Sequence, residues 1–260
     1  MITMSCLGFM GRLGNEMFQY ATLKSLSKKF NYEYVLPEVP YKQQNEDANL
    51  YECFNLNNEI PKNVDLYNIH IGNLGFDSNL FLKCPDNVDL CGFFQDVRYF
   101  EFNKEDIKKC FTFKDNILKA SQNIFYSIFS SKEVISLHIR RGDYINNYNQ
   151  PALPLGYYIE ALNFFDDNID VLIFSDDIDW AYSQEIFRKE RFYFSRNCNN
   201  AMDLCMQTFC NYHIIANSSF SWWGSWLANS KKVVKPKFWF SSELNDQYPN
   251  FLNVDGWISI

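Results

Sequence analysis

The sequence predicts an α/β protein in two halves whose loops face one another across a shared cleft, the second built on a parallel sheet wound on both faces. Two observations lead there. Short apolar runs alternate with helical stretches through the second half, and a strand, a glycine-containing loop and a long helix open the first. In such sheets ligands sit at the carboxyl ends of the strands, so the strand-to-helix loops are where chemistry is expected. The expected halves are residues 1–130 and 131–260.

The first half opens with a strand expected over 4–9, the loop Gly11-Arg12-Leu13-Gly14-Asn15, and a helix from Glu16 to about Phe30. Met17, Tyr20, Ala21 and Phe30 share one stripe at helical spacing, with Lys24, Lys28 and Lys29 off it. A strand over 32–36 closes this unit before Pro37. From Glu38 to about Asp106 frequent Asn, Asp and Pro break the periodicity, so a loop-rich surface is expected, with Cys91–Phe100 its most structured piece. A helix near 116–130 then leads into regular alternation. Strands are expected over 134–139, 170–175, 192–194, 212–216 and 232–235, with helices over about 155–166, 178–189, 199–209 and 219–229 between them.

With 260 residues and 47% hydrophobic content the chain has enough apolar mass for one large core or two small ones. Its 18% aromatic share suits thick packing and also a protein that handles ring-shaped ligands. The net charge of −7 leaves no basic stripe for a nucleic-acid backbone, so no nucleic-acid partner is expected and any phosphate binding must be local. Eight cysteines lack the paired short spacings of a zinc site and read as reduced thiols. Met1–Phe9 lacks a charged leader with a long apolar stretch, and no run approaches the ~18 apolar residues that span a bilayer. A cytoplasmic location is expected, and any contact with a membrane would be peripheral.

The most informative segment is Val134 to Tyr144. A short apolar strand runs into His138-Ile139-Arg140-Arg141-Gly142-Asp143-Tyr144, and alternation places His138 and Arg140 on one face. Arginine offers a rigid fork of N–H groups suited to phosphate or carboxylate, and Gly142 permits a sharp turn or a close approach. The alternative is an exposed strand end with solvated charges. Gly11 to Asn15 sets two glycines around a cation just before a helix, where backbone N–H groups and the positive helix end favour an oxyanion; Asn15 as a plain helix cap is the other reading. Asn217-Ser218-Ser219-Phe220-Ser221 similarly precedes a helix, its polar groups suiting either a cap or a bound phosphate. Trp222, Trp223, Trp226 and Leu227 recur at spacings of three and four and read as core rather than as a sugar platform.

Ser175-Asp176-Asp177-Ile178-Asp179 ends a strand with acids. Asp177 and Asp179 have the D-x-D spacing that suits Mg²⁺ or Mn²⁺; the favoured reading has Asp176 or Asp177 capping a helix and accepting hydrogen bonds from a base or ribose, since Arg140 already supplies positive charge. Arg141-Gly142-Asp143 as an adhesion tripeptide is set aside because it follows a buried-type strand. With His70, His138 and His213 the only histidines, no histidine metal cluster is expected, and His213 reads as a satisfied core residue.

Four segments, in order, resemble the α-1,2-fucosyltransferases of glycosyltransferase family 11: Gly11 to Ala21, Gly92 to Phe100, His138 to Tyr144 and Asn217 to Trp223. The resemblance covers nearly the whole chain and extends, for the two arginine-containing loops, to α-1,6 and protein O-fucosyltransferases. It implies a GT-B type fold, with 1–130 an acceptor-side α/β domain and 131–260 a Rossmann-like domain for GDP-fucose. No cofactor or metal is implied. By the same resemblance Arg140 contacts the β-phosphate with His138 beside it, Asn15 lies near the fucose, Ser218 to Ser221 meet the phosphates, and Asp176 or Asp177 lies nearer the nucleoside. Gly11, Arg12, Gly14, Asn217 and Ser219 fall among the expected donor-binding residues, and Glu16, Gln95 and Asp96 on the acceptor side. Glu16 stands where the family commonly has Gln, and the chain is short for the family in its acceptor half. Asp143, Glu16 and Asp96 are the candidates for a general base.

The function implied is inverting transfer of L-fucose from GDP-β-L-fucose to the 2-hydroxyl of a galactose-terminated glycan. Two rivals stand beside it: a metal-dependent nucleotide-sugar transferase using Asp177 and Asp179, and a non-catalytic glycan- or nucleotide-binding module.

Overall fold

A computed structural model describes residues 1–36, 48–56, 68–72, 74–130, 132–228 and 230–260. The chain forms two compact units, Met1–Lys114 and Asp115–Ile260. The division falls before the helix assigned above to the first half, because that helix packs with the second sheet.

In the first unit β1 (Ile2–Thr3), α1 (Leu13–Phe30), β2 (Tyr34–Val35), α2 (Leu50–Cys53), β3 (Asn68–Ile71), α3 (Ser78–Lys83), β4 (Val88–Cys91) and α4 (Lys104–Cys110) follow one another. The four strands form a parallel sheet ordered β2-β1-β4-β3. The strand expected over 4–9 is a turn: the Ser5 amide and hydroxyl donate to the Asp89 carboxylate at 2.8 and 2.5 Å, and the Leu7 amide returns to the Met4 carbonyl. Met4 and Leu7 are nevertheless buried, which is why their hydrophobicity imitates a strand. Helix α1 begins at Leu13, earlier than expected, so Gly14 and Asn15 belong to its first turn. Burial runs almost all round it, taking in Gln19, Thr22 and Ser25 as well as Met17, Tyr20 and Ala21, while Lys28 and Lys29 stay exposed. The stretch expected to be loop-rich holds α2, β3, α3, β4 and the start of α4; its residues 38–47, 57–67 and 73 lie outside the described residues.

The second unit carries α5 (Asp115–Phe129), β5 (Val134–Ile139), α6 (Leu155–Leu162), β6 (Asp170–Ser175), α7 (Ile178–Ser183), β7 (Phe192–Phe194), α8 (Asn200–Phe209), β8 (Tyr212–Ile214), α9 (Ser219–Leu227), β9 (Lys232–Lys235), α10 (Ser242–Gln247) and β10 (Ile258–Ser259). Strands β5, β6, β7 and β9 match their expected ranges. The helix expected over 178–189 stops at Ser183, where Gln184 turns extended (ψ 127°) and a 3₁₀ turn over Glu185–Arg188 follows.

All pairings in this sheet are parallel, in the order β10-β9-β8-β5-β6-β7. Counted from β5, that is the 3-2-1-4-5-6 order of a dinucleotide-binding fold, read from its other edge. Strand β5 is interior and buried at every position, as a parallel strand covered on both faces must be. One face packs on Tyr157, Tyr158 and Ala161 of α6; the other meets Phe125 and Phe129 of α5 and Met206 of α8. The Ser121 hydroxyl donates to the Met202 carbonyl, and Phe125 and Phe209 meet edge-on at 5.5 Å, so α5 docks on α8. Trp222, Trp223 and Trp226 are core, with Trp222 and Trp226 stacked at 5.9 Å.

Candidate active site

Where strand order reverses, the connections leave opposite faces of a sheet and their loops part, opening a crevice at the carboxyl ends. In the second unit that point lies between β5 and β8. The loops after these two strands are His138–Asp143 and Asn217–Ser221, the segments singled out from sequence. In the first unit the reversal lies between β1 and β4, and the loops there carry Gly11–Asn15 and Gly92–Asp96.

The β5 loop is built around acid–base pairing. Register sets Ile139 beside Ser175, so the residues that follow on β5 and β6 meet. The Arg140 guanidinium, 14% exposed, pairs with Asp143 at 2.5 Å and with Asp176 at 3.1 Å. Asp176 also accepts from the Arg141 amide at 2.8 Å, and a side-chain carbon on Gly142 would stand 2.5 Å from its carboxylate, so glycine lets that carboxylate keep its place beside Arg140. Arg141, which sequence reasoning passed over, points the other way, pairing with Asp177 at 3.0 Å over the Trp180 ring at 3.9 Å. Alternation past Ile139 was the signal that could have found it. Asp177 caps α7 by accepting from the Trp180 amide, and Asp179, 90% exposed at its side chain, pairs with Arg196 at 3.6 Å. An arginine thus already pairs with each carboxylate of the D-x-D pair, and among the described residues no group of three His, Cys, Asp or Glu side chains is placed to hold a metal ion.

His138 is 5% exposed, its ring 5.5 Å from Phe220, and its Nδ1 has no hydrogen-bond partner among the described residues. Burial, helped by the Arg140 charge, pushes its pKa down to about 3, so the imidazole is neutral at physiological pH and contributes one N–H rather than a positive charge. His213 is the core residue expected, bonded to the Gln207 carbonyl and the Ser230 hydroxyl.

At the other loop Ser218 is the N-cap of α9, and its hydroxyl makes no capping bond. The Ser221 and Ser225 hydroxyls turn back to carbonyls one turn earlier. Asn217 differs from expectation: its amide donates to the Pro151 and Trp239 carbonyls at 2.9 and 3.0 Å, so the side chain ties loops together.

In the first unit Gly11 adopts a left-handed φ of 87°, and a side-chain carbon there would collide with Asn15. Asn15 lies inside the first turn of α1, whose N-cap is Arg12, and its Oδ1 accepts from Gln95 Nε2 at 2.5 Å, linking the β1 and β4 loops. Gln95 follows Phe94, a buried residue held at φ 50° whose ring lies against Gly72. Gln19 makes a second link by donating to the Gly92 carbonyl at 3.0 Å. Glu16 is turned inward: it is 6% exposed, accepts from the Leu50 amide at 2.7 Å, and desolvation raises its pKa. Asp96 caps the 3₁₀ turn Val97–Tyr99 and pairs with Arg98 at 2.6 Å.

Comparison with known proteins follows the same lines. The family described as glycosyl transferase family 11 matches residues 2–260. An α-1,2-colitosyltransferase of Escherichia coli is 31% identical over 90% of this chain and 91% of its own length. The rat galactoside α-(1,2)-fucosyltransferase 2 is 23% identical over 88% of this chain and 68% of its own. A crystal structure of POFUT1 in complex with GDP-fucose superposes with a TM-score of 0.57 at 14% identity, covering 89% of this chain and 96% of that one, and the fold shared is of GT-B type.

Proposed function

The chain belongs to glycosyl transferase family 11, and we propose that it moves L-fucose from GDP-β-L-fucose to the 2-hydroxyl of a galactose-terminated glycan, with inversion and without a metal. The observation that carries this reading is Arg140, a guanidinium held at the switch point of the second sheet by Asp143 and Asp176 and lying 5.2 Å from the centre of the Tyr144 ring. In the proposed reaction the bond from the sugar C1 to the β-phosphate oxygen breaks with its electron pair going to GDP, while the acceptor O2 forms the new bond and gives up its proton. Charge grows on the β-phosphate, and preorganised donors aimed at that charge stabilise it. Arg140 supplies a two-pronged donor, neutral His138 one N–H, and the start of α9 its backbone N–H groups.

Binding the diphosphate draws Arg140 from Asp143, which, 51% exposed at its side chain, is then the best placed of the three candidate bases to receive the proton. Glu16, bonded inward to Leu50, and Asp96, engaged by Arg98, are the weaker candidates. The Asn15–Gln95 amide pair serves the sugar hydroxyls. The colitosyltransferase relative favours one alternative at the donor, GDP-colitose, whose sugar is fucose lacking the 3-hydroxyl and whose leaving group is the same.

The test is Arg140→Ala assayed for transfer from both donors to lactose. Losing one such group costs on the order of 10²–10³ in rate, so turnover above about a tenth of wild type in a folded variant removes the assignment. Activity that persists in EDTA is expected; its loss would favour the metal-dependent reading through Asp177 and Asp179. GDP binding without release of product would leave a binding module.

A further inference from the structure

Beside the arginine loop, the carboxyl end of the second sheet presents an aromatic ring and a carboxylate that no part of the donor chemistry uses. Tyr148 is 70% exposed, and its phenol donates to Glu243 Oε1 at 3.3 Å; Ile145, 53% exposed, lies on the same loop. The loop that presents them is braced by hydrogen bonds. The Ala152 amide returns to the Tyr144 carbonyl, Asn147 accepts from the Asn149 and Gln150 amides, and the Ser241 amide donates to the Asn149 carbonyl. Asn217 completes the bracing. Its side chain holds Pro151 on the Tyr148 loop and Trp239 on the segment leading to Glu243, while its own carbonyl accepts from Gln150 at 2.9 Å. The residue that opens the α9 loop at the switch point thus fixes both the ring and the carboxylate relative to the helix start.

We propose that Tyr148 and Glu243 form a pyranoside subsite that seats the acceptor sugar. The ring offers a flat apolar face to the C–H face of a pyranose, and the carboxylate accepts from sugar hydroxyls. A nucleotide is the less fitting occupant, since Glu243 would repel its phosphates. This inference rests on the fucosyltransferase reading for the role of the bound sugar, though not for its binding.

The experiment follows lactose by saturation-transfer NMR in the presence of GDP, with GDP affinity measured separately by calorimetry, on wild type, Tyr148→Ala, Tyr148→Phe and Glu243→Gln. Tyr148→Ala is expected to weaken lactose binding about tenfold, the scale of one aromatic contact, with GDP affinity within about twofold of wild type. Tyr148→Phe, which keeps the ring, retains most of the binding, and Glu243→Gln falls between the two. Unchanged lactose binding in Tyr148→Ala overturns the inference, as does an equal loss of GDP affinity, which would make this a nucleotide platform. Wild type that binds lactose through Tyr148 but transfers neither fucose nor colitose to it would sink the enzymatic reading and leave the subsite standing.

Discussion

Asp203 shows how much one side chain carries that its position in a sequence does not display. It sits in the first turn of α8 with the Ser195 hydroxyl donating to it at 2.5 Å, and desolvation raises its pKa to about 7. Its folded pKa lies above the unfolded value, so the stability it contributes is present at acid pH and fades as pH rises from about 4 through 7. Asp203→Asn keeps an oxygen for Ser195 and removes the charge; chemical denaturation should show it gaining about 1–3 kcal/mol more over wild type at pH 8 than at pH 5. An equal effect at both pH values would mean the carboxylate is solvated. At this scale the sequence was uneven. Arg140 and Gly142 were legible because strand alternation and the need for a turn are local rules. The inward turn of Glu16 and the bracing by Asn217 were not, because each depends on a partner, Leu50 or Pro151, remote in sequence.

Among elements, the packing of α8 on α9 depends on Gly224. A side-chain carbon there would collide with Gln207, whose Oε1 and Nε2 are buried with no hydrogen-bond partner among the described residues. Gly224→Ala is expected to cost about 1–3 kcal/mol by overpacking. Adding Gln207→Gly removes Oε1 and also the Cβ that would stand 2.8 Å away, so the double variant should be more stable than the sum of the two single effects, read from urea midpoints. Strict additivity would show that the helices shift apart instead. Elements of the second unit could be read from sequence because its strands are continuous apolar runs between helices that have polar faces. In the first unit α1 was legible from its stripe except for its start, and β2 lies inside the range expected for it, but β1 is only two residues long and falls outside the expected strand, because the buried turn that follows imitates one.

For the molecule as a whole, neither strand order nor the division at Lys114 was legible, since both arise from which faces pack together. Yet the two pairs of segments chosen for their residues fall one on each side of the reversal in each sheet, an agreement between local chemistry and topology that no single motif carries. The interior place of β5 has a further consequence. Its amides are bonded into the sheet between β6 and β8 and lie beneath helices on both faces, so they open to solvent only with global unfolding. Deuterium uptake followed by mass spectrometry should find the amides of 135–139 among the slowest in the protein, with 142–152 faster and slowed by added GDP. Rapid labelling of 135–139 would mean that the guanidinium rides on a breathing strand; slow labelling means that Arg140, the proposed phosphate ligand, is carried by an anchor that keeps still.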